Sequence, residues 1–192
     1  MKAARTIVLA AMSLLVGLAS LAAQIYPKVY DATYDSKTPA GAATLRMTSD
    51  GKGKLRTESS TAGMKVVSIV NYPEKMSYSI LENQKMISKS PIKVEYEGEM
   101  NADMAKKKKA TDLGVKDVLG HKCHGWKYNE GGTDMEMWMD EGAGIMVRSI
   151  TKASGYSTEL NLKTFSNAAP NQALFAIPSN YKVVTAGAPG GY

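Results

Sequence analysis

The fold is decided by the stretch "GHKCHGWKYNEGGTDMEMWMD", residues 120–140, in which two segments rich in aromatic residues and methionine flank a turn. Apolar residues at alternate positions on both sides of a glycine-containing turn are typical of two paired antiparallel strands. The first segment also contains the only two histidines and the only cysteine of the chain, within four positions. Whether these three residues form one site depends on the face of the strand to which each side chain points.

A loop of four residues over 129–132 predicts a chemically consistent pairing of the two strands. One face then carries the pairs Tyr128–Thr133, Trp126–Met135, His124–Met137 and Lys122–Met139. The other face carries the pairs Lys127–Asp134, Gly125–Glu136, Cys123–Trp138 and His121–Asp140. Cross-strand partners share a face because side chains alternate along each strand. We therefore expect His121 and Cys123 on the face opposite to His124.

This division separates the three candidate metal ligands. A zinc site needs four ligands, or three and a water molecule, and the chain has no further Cys or His to complete one. We therefore predict no metal site, and we expect Cys123 to pack against Trp138 as a small hydrophobic residue.

The methionines of the second segment leave another interpretation open. Met135, Met137 and Met139 share the predicted face of His124, and thioether and imidazole ligands suit Cu(I). Alternatively, these flexible side chains fill or line an apolar surface, as they do at adaptable binding sites. The chain contains 12 methionines in all, and this abundance favours an apolar surface over a copper site that uses His124 and Met137.

Turn signals recur along the whole chain and separate short segments rich in Val, Ile, Thr, Tyr and Met. Such spacing is typical of an antiparallel sheet, barrel or sandwich, so we predict a mainly β fold of the α+β kind. The predicted strands cover residues 29–36, 43–49, 54–60, 64–71, 76–81, 85–89, 122–128, 133–140, 145–151 and 156–165. Two segments favour helical structure instead: 101–114, with Asn101 as its N-cap, and a short turn over 171–178.

The first residues predict export. Lys2 and Arg5 precede an apolar run over 7–19 and a small-residue cleavage region, as in a secretory signal peptide of residues 1–22. Its removal leaves a single domain over 23–192, whose net charge falls by two from +6 to +4. We expect a periplasmic or secreted protein that meets anionic membrane surfaces rather than nucleic acid. No segment of the mature chain is apolar over the length that a transmembrane helix needs.

The motifs of common catalytic sites are missing from the sequence. It contains no serine in a nucleophile elbow, no HExxH pair and no phosphate-binding glycine loop. Cys123 and His124 point to opposite sides of their predicted strand, which separates a cysteine–histidine pair. We therefore predict a protein that is not an enzyme and that has no catalytic residues and no cofactor.

Four segments carry a family resemblance. They are "GKGKLRTES" at 51–59, "GMKVVSIVNYPEKMSYSILENQKMISKSP" at 63–91, "VLGHKCHGWKY" at 118–128 and "LKTFSNAAPNQALFAIPSNYKVV" at 162–184. Their order resembles a family of exported bacterial proteins of uncharacterised function that is related to the outer-membrane lipoprotein carriers LolA and LolB. The last segment departs from the family pattern at Asn180, where glycine is usual. The resemblance implies an open, strongly curved antiparallel half-barrel whose concave side is covered by one or two helices.

The resemblance also implies a binding function, because the concave apolar space of the carriers holds acyl chains. We expect a hydrophobic small molecule, a lipid or the acyl chain of a lipoprotein on the methionine-rich face. The candidate ligand-binding residues are His124, Trp126, Tyr128, Met135, Met137, Met139, Met100 and Met104. The alternative is an envelope protein that acts through protein interaction and whose apolar face is an ordinary closed core.

Overall fold

The computed structural model describes residues 25–39, 41–61, 64–93 and 95–185. The signal peptide predicted over 1–22 lies outside these residues. The described strands are β1 (Tyr30–Thr38), β2 (Gly41–Ser49), β3 (Lys54–Thr61), β4 (Met64–Asn71), β5 (Met76–Leu81), β6 (Met86–Pro91), β7 (Thr111–Val118), β8 (His121–Glu130), β9 (Thr133–Asp140), β10 (Ile145–Ala153), β11 (Tyr156–Ser166) and β12 (Lys182–Thr185). The described helices are α1 (Ala102–Lys107) and two 3₁₀ helices, Glu82–Gln84 and Gln172–Phe175.

All of these strands join one open, curved sheet in the order β12-β6-β5-β4-β3-β2-β1-β11-β10-β9-β8-β7. Neighbouring strands are antiparallel except β12 and β6, which are parallel. β6 lies next to one edge of the sheet, and β7 forms the opposite edge. The connection between these two strands therefore crosses the sheet from one side to the other, and it contains α1. The predicted mainly β fold with an open, curved antiparallel sheet is thus confirmed.

The ten strands predicted from composition and turn spacing are all present, with ends that differ by at most two residues. The helical turn predicted over 171–178 is present as the 3₁₀ helix Gln172–Phe175. Two strands were not predicted. Seven of the eight residues of β7 are exposed, so no polar–apolar alternation marks it, and β12 has only four residues.

The helix predicted over 101–114 is wrong in its second half. α1 begins after Asn101, whose side chain accepts hydrogen bonds from the backbone N–H groups of Asp103 and Met104, as predicted for an N-cap. The helix ends before Lys109, which takes a left-handed backbone conformation with a φ of 53°. The residues that follow form β7, whose pairing with β8 satisfies the backbone groups that the two strands turn towards each other.

The turn between β8 and β9 is shorter than predicted, which shifts the pairing of the two strands by two residues. Only Gly131 and Gly132 form the loop, with φ values of 58° and 82°, as a two-residue type I′ hairpin requires. The predicted pairs, such as Trp126–Met135 and Cys123–Trp138, are therefore wrong. The observed pairs are Tyr128–Met135, Lys127–Glu136, Trp126–Met137, Gly125–Trp138, His124–Met139 and Cys123–Asp140. An even shift leaves every side chain on its predicted face.

The two faces of β8 and β9 pack against different partners. On one face, a buried cluster comprises Trp126, Tyr128 and Met139 together with Met100, Met104 and Ala105. On the other face, Cys123 and Trp138 pack with Val118 and Val147. α1 therefore covers the methionine-rich face, and the predicted packing of Cys123 against Trp138 is confirmed.

The far half of the sheet has a core of its own. Val67, Ile69, Ile80 and Ile87 pack there with Tyr78, Ile177 and Tyr181. Full burial of one such aliphatic side chain contributes about 1.5–3 kcal/mol. Because the single cysteine of the chain is free, the fold depends on these apolar cores and not on disulfide bonds.

Candidate functional site

A groove of about 550 Å³ opens on the methionine-rich face beside α1. Its apolar lining includes Ile25, Tyr26, Met100, Ala102, Trp126 and Met139. Its polar lining comprises Lys28, Tyr96, Glu97, Glu99, Asn101, Asp140 and Glu141. The groove thus joins an apolar floor to a wall that carries mostly carboxylates.

Neighbouring elements bring the floor of the groove together. Trp126 of β8 and Met139 of β9 point to the same face, and Met100 directly precedes the N-cap of α1. The exposed fractions of Trp126, Met139 and Met100 are only 3%, 2% and 7%. The floor is therefore closely packed, and the empty volume lies over it.

The structure brings the eight candidate residues together but gives them different positions. Met100, Trp126 and Met139 line the groove. Met104 and Tyr128 are buried in the cluster beside α1, and Met135 and Met137 pack at its margin. The Tyr128 hydroxyl donates a hydrogen bond to the sulfur of Met137 at 3.4 Å. Among these candidates, the residues beside α1 are thus packed into the cluster, whereas Met100, Trp126 and Met139 border the open volume of the groove.

His124, the eighth candidate, does not line the groove but supports its floor from the side. Its ring stacks on Trp126 with centroids 4.3 Å apart and planes 11° apart. Nε2 of His124 lies 2.7 Å from a carboxylate oxygen of Asp112, and Nδ1 lies 3.1 Å from one of Glu141. Burial lowers the pKa of His124, but these hydrogen bonds outweigh burial and raise the pKa overall.

Nothing in this geometry favours the copper site. Both ring nitrogens of His124 are engaged by carboxylates, so a Cu(I) ion would have to displace one of them. Met137 accepts the hydrogen bond from Tyr128, and Met139 is buried. The described residues also contain no group of three or more His, Cys, Asp or Glu side chains arranged to hold a metal ion.

Three of the four carboxylates on the wall of the groove are paired with basic side chains. Glu97 lies 2.7 Å from the Lys107 ammonium. Asp140 lies 2.9 Å from Nδ1 of His121 and also accepts hydrogen bonds from the backbone N–H groups after it in the turn. Glu141 is paired with His124. These three carboxylates therefore have partners within the protein.

Glu99 is the exception among these carboxylates. It accepts a hydrogen bond from the Tyr96 hydroxyl at 2.5 Å, yet no ion pair within 4.0 Å reaches it from the described residues. Burial raises the pKa of Glu99, although Tyr96 and the positive charge of Lys28 act in the opposite direction. Burial, and then the negative charge of Glu99, raise the pKa of the nearby Tyr30 and Tyr34 hydroxyls. A partly buried carboxylate without an ion pair thus stands at the polar wall.

Two of the four lysines at 106–109 form ion pairs with carboxylates outside α1. Lys107 binds Glu97, and Lys108 lies 2.8 Å from a carboxylate oxygen of Glu130 and 5.6 Å from the ring centroid of Tyr128. Lys106 and Lys109 remain exposed. Lys107 therefore binds the connection that precedes α1, Lys108 binds β8, and the charges of Lys106 and Lys109 stay at the surface.

The Cys123 thiol is inert in this fold. Its side chain has no exposed surface, and it is a free cysteine. Burial raises its pKa to about 11, with smaller contributions from the negative charges of Asp140 and Asp117. Because the thiolate is the nucleophile, a protonated buried thiol has a packing role.

Sequence reasoning missed the polar wall of the groove. The only local signal for Glu99 is its position directly before Met100, at a boundary between polar and apolar residues. No sequence signal places Lys28 in the same groove as Glu99, because the two residues line it only through the connection that crosses the sheet. Within the described part of the chain, no helix has the length and apolar character to span a bilayer.

Several solved structures are similar to this chain in fold. An uncharacterized conserved protein from Thermus thermophilus aligns with a TM-score of 0.63 and 14% identity, over 83% of this chain and 91% of that one. The MucA/MucB complex of Pseudomonas aeruginosa contains a chain that aligns at 0.49 and 13%, over 82% of this chain and 58% of that one. LprF from Mycobacterium bovis aligns at 0.38 and 11%, over 75% of this chain and 89% of that one. The first of these likenesses shows a shared fold.

No curated protein matches the chain. The family model described as a domain of unknown function (DUF4412) matches residues 36–147, which is more than half of the chain. The predicted resemblance to a family of uncharacterised function is thus confirmed, and the open curved sheet is the fold that the likeness to LolA and LolB implied. The chain belongs to the DUF4412 family.

Proposed function

We propose that this protein is an exported, non-enzymatic binding protein that holds an apolar ligand, a lipid or an acyl chain, in the groove beside α1. The groove itself supports this proposal most strongly, because its volume of about 550 Å³ lies over a floor of Trp126, Met139 and Met100. Ligand pockets typically enclose about 300–1,000 Å³ and combine an apolar lining with a few polar groups. Methionine side chains adapt to ligands of varied shape.

Export to the periplasm and contact with an anionic membrane surface complete the proposal. The signal peptide predicted over residues 1–22 supports export. The net charge of the mature chain and the exposed lysines Lys106 and Lys109 support attraction to anionic lipid headgroups. A lipid or a lipoprotein acyl chain would then be taken from, or delivered to, that surface.

The close packing next to the groove favours a second candidate, an envelope interaction protein with a closed core. Met104 and Tyr128 have exposed fractions of only 9% and 8%, and both belong to the same buried cluster as Trp126. The two candidates differ in one respect: only a binding protein takes a ligand onto Trp126. A test must therefore observe that side chain directly.

Tryptophan fluorescence offers this test, because the chain contains only two tryptophans. Trp126 lines the groove, whereas Trp138 is buried on the opposite face of the strands. A fatty acid brominated along its chain should quench Trp126 in a saturable titration. Trp126→Phe, which retains Trp138, is the matched control and should lose the quenching. Absence of saturable quenching in the wild-type protein would contradict the binding function and favour the closed core.

A further inference from the structure

We propose that the groove selects a zwitterionic amphiphile, whose ammonium group is held by Glu99 and whose phosphate is held by Lys28. This inference rests on the proposed function and names the class of ligand that the same groove would take. A glycerophospholipid with an ethanolamine headgroup has the required chemistry. Its acyl chains would lie on the apolar floor formed by Trp126 and Met139.

Glu99 provides the first half of the recognition. It is the carboxylate on the groove wall that no cation of the described residues neutralises within 4.0 Å, while Glu97, Asp140 and Glu141 each have a basic partner. A partly buried carboxylate without a cationic partner is unfavourable, and a bound ammonium would relieve that cost. The Tyr96 hydroxyl, which donates to Glu99 at 2.5 Å, holds the carboxylate in place.

Lys28 provides the second half of the recognition, a positive charge for the phosphate. It lines the same groove, and its ammonium reaches across the turn between β9 and β10, to within 2.8 Å of where a Cβ on Gly144 would stand. Its charge acts on Glu99 electrostatically, but the described ion pairs within 4.0 Å include no pair between the two. Two opposite charges that face one groove without meeting can be bridged by a ligand that carries both.

Glu99 directly precedes Met100, and both residues line the groove. A headgroup held at Glu99 therefore lies in the same groove as the apolar floor that would hold the acyl chains. A primary ammonium can donate hydrogen bonds to Glu99, whereas a choline group has no N–H to donate. A purely anionic headgroup would meet repulsion from Glu99. We therefore expect ethanolamine to be favoured over choline and over glycerol headgroups.

The test compares three dihexanoyl phospholipids, kept below the concentration at which they form micelles, with ethanolamine, choline or glycerol headgroups. Binding is measured by the change in Trp126 fluorescence. The wild-type protein should bind the ethanolamine lipid about tenfold more tightly than either of the others, as one charge-assisted hydrogen bond allows. Glu99→Gln should remove this preference. The matched control is Glu95→Gln, which removes the same charge from an exposed carboxylate that lies 3.9 Å from Lys75.

A second variant tests the phosphate contact independently of Glu99. Lys28→Met should weaken binding of the ethanolamine phospholipid about tenfold and leave the affinity for decylamine, which has an ammonium but no phosphate, unchanged. Equal affinity of the wild-type protein for all three headgroups would overturn the inference and leave the proposed function standing. So would a Glu99→Gln variant that keeps the wild-type preference, or a Lys28→Met variant that keeps the wild-type affinity. Failure of all three lipids to bind would contradict the proposed function itself.

Discussion

At the scale of single residues, His124 links three parts of the molecule. It stacks on Trp126 of β8 and binds Asp112 of β7 and Glu141 of the turn after β9. Both ring nitrogens can donate to carboxylates only when the imidazole is protonated. His124 therefore joins the edge strand to one wall of the groove as long as it carries its charge.

His124→Gln should destabilise the protein at acidic pH and have little effect at alkaline pH. The folded-state pKa of His124 is raised, so its stabilising contribution is complete below the unfolded pKa of about 6.5 and is lost as pH rises through the folded pKa. We expect the free energy of unfolding to fall by about 1 kcal/mol near pH 5.5 and by much less near pH 9. Urea denaturation of wild type and variant at both pH values measures the difference.

Asp112→Asn is the matched control for this pH dependence. It removes one carboxylate partner of His124 but leaves the imidazole in place. Its loss of stability should follow the same pH window and be smaller, because Glu141 remains. Equal destabilisation by His124→Gln at both pH values would show that the ring acts through stacking and not through its charge.

Gly125 is a second residue with a specific role, because it leaves room for an aromatic ring on the neighbouring strand. A Cβ at this position would lie 2.5 Å from a ring atom of Trp138, which is buried and cannot easily move. We expect Gly125→Ala to lower the free energy of unfolding by about 1–3 kcal/mol through overpacking. Gly142→Ala, whose new Cβ meets only a carboxylate oxygen of Asp140 at 3.3 Å, should change it far less. Thermal and urea denaturation would show whether the two variants differ.

At the scale of elements, the hairpin of β8 and β9 depends on its glycine turn. Both loop residues have positive φ, and Asn-Gly is the preferred sequence for such a turn. Gly131→Asn should therefore raise the free energy of unfolding by about 0.5 kcal/mol, whereas Gly132→Ala should lower it by about 1 kcal/mol. Urea denaturation measures both changes. Two neutral substitutions would indicate the longer loop over 129–132 in place of the two-residue turn.

The same hairpin shows how far sequence reasoning reaches. Alternation of side chains was enough to assign the faces of His124, Trp126 and Cys123, because these faces survive any even shift of register. The length of the loop was not predictable from polarity alone, since Asn129 and Glu130 are as suited to a turn as to the end of an exposed strand. The backbone conformation of Gly131 and Gly132 and the pairing of Asn129 and Glu130 with β9 distinguish the two loop lengths.

β7 was missed for a different physical reason. β7 forms an edge of the sheet, and seven of its eight residues are exposed, so no apolar period distinguishes it from a loop or a helix. The lysine run before it favours a helix by propensity, and that part of the prediction is confirmed in α1. Asp112 belongs to β7, so this partner of His124 could not be found without the strand.

At the scale of the whole molecule, the groove is a product of the order of strands. β6 and β7 are consecutive in the chain and lie towards opposite sides of the sheet, so their connection passes across the sheet and contributes both Glu99 and α1. The segment before β1 contributes Lys28 from the other direction. No local sequence pattern indicates that Glu99 and Lys28 line the same groove. The sequence therefore predicted the apolar floor but not the polar wall.

Native mass spectrometry of the exported protein, released without detergent from the cells that express it, tests the central claim most directly. The proposed function predicts a species heavier than the bare chain by the mass of one lipid or fatty acid, which dissociates on activation in the instrument. The same species should appear when lipid-free protein is incubated with vesicles of phosphatidylethanolamine and phosphatidylglycerol. Only the mass of the bare chain, both after extraction and after incubation with the vesicles, would contradict the claim that the groove holds an apolar ligand.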